Sequence, residues 1–161
     1  MRPICWCPPI ELSIIEQTIV KRIRRAKLFV FLRQHRHEVF DKAFQQELAG
    51  LYQESQRGQP PVPPARLALA TILQAYTGVS DDEVIEASLM DRRWQLVLDC
   101  VDAEEPPFSK GTLVAFRKRL IEANMARQLI ERTIEVARAT EAFGYGPLRA
   151  ALDSSWLWIT E

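Results

Sequence analysis

Cysteine is nearly absent: Cys5, Cys7 and Cys100 are the only three in 161 residues, an odd number without framework spacing. That excludes a disulfide-built secreted domain. Reduced thiols are expected, with Cys100 serving as a small buried apolar residue. Cys5-x-Cys7 taken with His35 and His37 does not give a spacing that zinc sites use, so no structural zinc is expected. Long apolar runs are also missing. The longest uncharged stretch, between Arg66 and Asp81, has 14 residues, short of the roughly 18 to 20 that a membrane span requires. The leading MRPICWCPPIELS has no sustained apolar core and is interrupted by prolines, so neither a secretory signal nor a membrane partner is expected, and a cytoplasmic chain is the default. Finally, neither sign of charge is in surplus: 21 Lys and Arg balance 21 Asp and Glu. Composition alone therefore does not make this chain a nucleic-acid binder.

What is present is ordinary in amount and uneven in position. A hydrophobic content of 47% with 26% charged residues suits one globular domain with a real core. Residues 1–60 hold 10 Lys and Arg against 6 Asp and Glu, and residues 61–161 hold 11 against 15, a split of +4 and −4. The cationic side centres on KRIRRAK, Lys21 to Lys27. Such a cluster suits phosphate, and equally suits a solvated helix face.

Helical periodicity runs through most of the chain. Ile15, Ile19 and Ile23, then Val30, Phe31, Val39, Phe40, Phe44, Leu48 and Leu51, recur at three- and four-residue steps, predicting two or three helices over residues 10–52. Four prolines and a glycine in QRGQPPVPPAR, Gln56 to Arg66, stop any helix there. This divides an N-terminal helical arm (1–55) and a Pro-rich hinge (56–65) from a second helical block (66–143). RLALATILQAY, from Arg66, is apolar nearly all round and should lie at the centre of the core, with Gly78 as its stop. Ser80 and Glu83 form a capping box that opens the next helix, flanked by a Val79/Val84 staple. The pair has the outline of a helix-turn-helix. However, Asp81, Asp82, Glu83 and Glu86 on its second member argue against contact with phosphates.

Beyond it, DRRWQLVLDC should pack through Trp94, Leu96, Val97 and Leu98. Arg92 and Arg93 open that helix at the wrong end of its dipole and so call for Asp91, Glu86 or an external phosphate as partner. Ser109 caps KGTLVAFRKRLIEAN, with Leu113, Phe116 and Leu120 inward and Lys110, Arg117, Lys118 and Arg119 forming a second basic patch at its flanks and outer face. The Ser109–Thr112 run lacks the upstream glycine of a phosphate loop. A last helix over 125–143 turns Leu129, Ile130, Thr133, Ile134 and Ala137 to one face. LRAALDSSW then reads as an extended segment delivering Asp153 into a Ser-Ser pair. The fold class expected is mainly α: a bundle of six to seven helices with one C-terminal extended segment.

Four stretches in order, FLRQHRHEVFDKAFQQELAGLY, PPARLALATILQAYTGVSDDEVIEASLMDRRWQLVLDC, PPFSKGTLVAFRKRLIEANM and GYGPLRAALDSS, resemble the N-terminal part of insertion-sequence transposases of the DDE class. The resemblance covers about Phe29 to Ser155. It implies a helical domain followed, over 148–161, by the first strand of a ribonuclease-H-like catalytic domain. Asp153 then matches the first of three carboxylates that hold two magnesium ions for in-line attack on a phosphodiester. The rest of that triad does not appear before Glu161, and Trp156 to Glu161 replaces the family's usual continuation, so the chain is expected to be catalytically incomplete and to bind no metal alone. The resemblance further implies double-stranded DNA as partner, at the element's terminal inverted repeats. Contacts are expected mainly to phosphate from Lys21, Arg22, Arg24, Arg25, Arg92, Arg93, Lys110, Arg117, Lys118 and Arg119. The alternative is a helical interaction module that forms homo-oligomers or regulates a full-length transposase through mixed oligomers.

Overall fold

The computed structural model describes residues 2–53 and 58–141. Eight helices make up its regular structure: α1 (Ile14–Arg22), α2 (Lys27–Val39), α3 (Lys42–Ala49), α4 (Pro64–Thr77), α5 (Asp81–Met90), α6 (Arg92–Leu98), α7 (Lys110–Glu122) and α8 (Ala126–Ala139). The fold is all-helical among the described residues, as expected, with one or two helices more than the periodicity suggests. The extended segment around Asp153 lies outside the described residues.

Local chemistry sets most helix starts. Ser13 and Ser80 each make a full capping box, with Glu16 and Glu83 respectively, and Asp41, Asp91 and Ser109 cap α3, α6 and α7 through their side chains. Pro64 opens α4 at a position where its missing N–H costs nothing. Gly78 closes α4 at φ +73°, a left-handed conformation that only glycine adopts without steric cost.

α4 is the axis of the core. Leu67, Ala68, Leu69, Ala70, Ile72, Leu73 and Ala75 are all fully buried, and α4 packs against α2, α3, α5, α6 and α7. The stripe Leu129, Ile130, Thr133, Ile134 and Ala137 on α8 is buried as the sequence indicates. Residues on both sides of the Pro-rich segment, such as Leu28 and Leu32 before it and Leu67 and Leu113 after it, belong to one hydrophobic core.

One apolar expectation fails. Ile15 is 48% exposed, and Ile10 and Ile14 are more so. α1 instead turns Ile19 and Glu16 inward, because Glu16 meets Arg33 of α2. Buried guanidinium groups are the distinctive cement of this fold. Arg33 Nε donates to Glu16 Oε2 at 2.7 Å and its Nη atoms donate to the Ile10 and Glu11 carbonyls. Arg36 Nη1 donates to the Leu96 and Val97 carbonyls, while Arg66 donates to those of Leu98 and Asp99. These four carbonyls are the C-terminal orphans of α6, which two other helices thus satisfy. Trp6 sits against both cations, 5.3 Å from Arg36 and 5.8 Å from Arg66, and its backbone exchanges hydrogen bonds with the Gln45 amide. Arg132 reaches from α8 to the Val39 carbonyl at the end of α2.

Candidate nucleic-acid interface

α1 ends at Arg22, Ile23 turns extended (φ −80°, ψ 109°), and α2 begins four residues later. This break carries no proline or glycine. It puts Arg22, Arg24 and Arg25 on a short exposed corner, and because α1 packs against α6, the corner stands beside the start of α6. There Arg22, Arg24, Arg25, Arg92 and Arg93 line one open groove of about 470 Å³, with Ile19, Ile23 and Ala26 as its apolar lining. Two basic clusters some 70 positions apart in sequence are thereby brought together.

The five arginines differ in how they are engaged. Lys21, Arg22, Arg24 and Arg25 are exposed and make no ion pair or side-chain hydrogen bond within the described residues. Arg93 is held by Asp91, Nη2 to Oδ2 at 2.7 Å, and lies over the Phe29 ring at 4.9 Å. The hydrogen bonds that Arg93 donates to the Asp91 carboxylate raise the Arg93 pKa, burial opposing them. Arg92 makes a longer, exposed contact of 3.4 Å with Asp102. Asp91 is thus one of the partners that the sequence calls for, Asp102 is one it does not suggest, and no Glu86 contact is formed with either arginine. Among the described residues no acidic side chain lines the groove. Ala26 gives α2 no side-chain cap, and the first turn of α2 contains no acid, so the positive end of its dipole adds to the field at the groove's edge.

The second basic patch does not reach this groove. Arg117, only 13% exposed, forms a two-pronged pair with Asp81, at 2.6 Å and 3.0 Å, and also donates to Gln74. That guanidinium holds the Asp81 carboxyl below its ordinary range, against the effect of burial. Lys110 pairs with Asp82 at 3.1 Å, and Arg119 lies 4.4 Å over the Tyr52 ring. Lys118 is exposed, 4.0 Å from Glu122. The acids of α5 therefore face the cations of α7, and the α4–α5 pair is built into the core through Val84 and Ser88.

Arg33 and Arg36, which add to the basic count of the N-terminal third, are interior residues. Burial, with repulsion from Arg33, pushes the Arg36 guanidinium down to about 10, and its buried Nε has no hydrogen-bond partner. Nothing local in the sequence marks either residue as interior, because the three partners of each lie 17 to 61 positions away and most of them are backbone carbonyls.

The magnesium site implied by the resemblance rests on Asp153, outside the described residues. Among the described residues no group of three or more His, Cys, Asp or Glu is arranged to hold a metal ion. Cys5 and Cys7 stand exposed with sulfurs 3.7 Å apart, and His35 and His37 both face Glu38. None of the described helices is long and apolar enough to cross a membrane.

A family model described as a transposase domain (DUF772) matches residues 18–119. That span starts inside α1 and ends inside α7, and it contains all five groove arginines. No curated protein and no solved structure matches.

Proposed function

Since the chain belongs to the transposase-domain family (DUF772), we propose that its helical part is the DNA-holding portion of a transposase, acting through the groove between α1 and α6. The observation that carries this reading is the convergence of Arg22, Arg24, Arg25, Arg92 and Arg93 on one surface that no acid among the described residues lines. Among the described residues Arg22, Arg24 and Arg25 have no internal partner to give up, so phosphate contact by these three breaks no ion pair there. Cations that neutralise DNA phosphates release counterions, so this binding is steeply salt-dependent. Insertion-element ends are the target that the family relationship favours. Asp153 is the carboxylate that would belong to the catalytic machinery of such an enzyme, and strand cleavage is not assigned to the helices described above.

The test is retardation of a labelled duplex carrying an element's terminal repeat, beside an unrelated duplex, over a salt series. Salt-sensitive binding that falls when Arg22, Arg24 and Arg25 are together replaced by Ala supports the reading. Equal and negligible retention of every duplex at low salt overturns it.

A further inference from the structure

We infer that the α1–α6 groove takes an unpaired nucleotide at a DNA end, in addition to phosphates of intact duplex. This rests on the groove being the nucleic-acid face proposed above.

A surface built only for the phosphates of a duplex needs cations spaced along the backbone, and nothing apolar between them. Here the cations line an open groove of about 470 Å³ whose apolar lining is Ile19, Ile23 and Ala26. The polar neutral side chain at its edge, Thr18, already donates its hydroxyl to the Ile14 carbonyl. Paired and stacked bases expose only their edges, so a duplex cannot lay a base face on such a floor. An unpaired nucleotide can, since its base has two apolar faces and a phosphate on either side.

The identity of the rim residues points the same way. All five cations lining the groove are arginine, while Lys21 and Lys27, which flank the same corner, do not line it. Guanidinium is planar and stacks on rings, which ammonium does not. Arg93 already lies over the Phe29 ring, 4.9 Å from its centroid. Planar cations beside an apolar floor match the way single-stranded nucleic acid is held, by guanidinium stacking and backbone charge together; the acids that pair with Arg93 and Arg92, Asp91 and Asp102, do not line the groove. An acidic amphipathic peptide would satisfy the charge and the floor but gives no reason for arginine over lysine.

Anisotropy titrations of the full chain against one labelled sequence, as a blunt duplex, as a duplex with a single-stranded tail of about six nucleotides, and as the single strand, test the inference. The tailed duplex and the single strand are expected to bind about tenfold more tightly than the blunt duplex. Replacing Arg22, Arg24 and Arg25 by Lys keeps the charge but removes the planar groups, and within that variant the ratio of tailed to blunt affinity should fall from about tenfold to near one. These side chains are exposed, so folding is not at stake. Ile23→Asp, checked for native helicity, should remove the preference as well. Equal affinity for blunt and tailed DNA, still dependent on the arginines, overturns this inference and leaves the duplex-binding function standing. Failure to bind any DNA removes both. Binding of an acidic amphipathic peptide with no oligonucleotide binding would also overturn it and assign the groove to a protein partner.

Discussion

Arg33 and Glu16 form a nearly water-free ion pair across α1 and α2, with Nε to Oε2 at 2.7 Å and Nη2 to Oε1 at 3.2 Å. The pair holds α1 in place, and α1 carries one wall of the arginine groove. Glu16→Ala leaves a buried guanidinium without its carboxylate, a change that costs about 3 kcal/mol at buried pairs. Urea denaturation should show that loss, with weakened DNA binding following only as the fold is lost. Retention of full stability would show that the carbonyls of Ile10 and Glu11 suffice for Arg33.

The same pair sets an acid limit. Burial opposes ionisation of Glu16, but the hydrogen bond from Arg33 and that from the Ser13 amide outweigh it and hold the carboxyl below its ordinary value. A depressed folded pKa contributes stability above the unfolded value and loses it as pH falls through the folded one. Asp81, held down by Arg117, acts in the same direction. Stability should therefore be flat above about pH 4.5 and decline below it. Glu16→Gln should show a shallower decline over that window, measured by denaturation at a series of pH values.

Arg117 and Arg24 are expected to separate folding from binding. Arg117→Ala strands Asp81 and Gln74 beside the α4–α5 turn and should lower stability by about 1–3 kcal/mol, with DNA affinity per folded molecule unchanged. Arg24→Ala removes an exposed cation without an internal partner. It should leave the melting temperature alone and reduce the slope of log affinity against log salt by about 0.9 if one phosphate contact is lost. The reverse pattern would move the interface to α7.

Gly78 offers a backbone test. A Cβ there meets nothing within 4 Å, so the cost of substitution is conformational and comes from φ +73°. Gly78→Ala should lower stability by about 1 kcal/mol, and Gly78→Asn by less, since Asn tolerates the left-handed region. Thermal melts of the two variants decide the order.

Much of this fold is legible in the sequence where the signal is local. The Ser80/Glu83 box, the Gly78 stop, the Ser109 cap and the buried stripe of α8 all follow from neighbours within a few positions. The helix count is not, because the α1–α2 break at Ile23 to Ala26 has no proline or glycine to mark it. Charged residues mislead most. Glu16, Arg33 and Arg36 look like solvated positions on amphipathic helices, yet all three are buried by partners 17 to 61 positions away. The groove combines Arg22, Arg24 and Arg25 with Arg92 and Arg93, and only the packing of α1 on α6 unites them. Asp153 and its strand lie outside the described residues.

The way α6 ends bears on how this chain tolerates insertion and deletion. Its last carbonyls are taken by Arg36 from α2 and Arg66 from α4, and Asp99 then turns left-handed at φ 58°. A helix stopped by its neighbours has no freedom to lengthen. One added residue between Leu96 and Cys100 would rotate the carbonyls away from two separate guanidinium groups, and no single compensating substitution would restore both. Relatives that differ in length should therefore differ elsewhere, at exposed corners such as Arg24–Arg25, where the groove's reach can vary while the register of the core is kept.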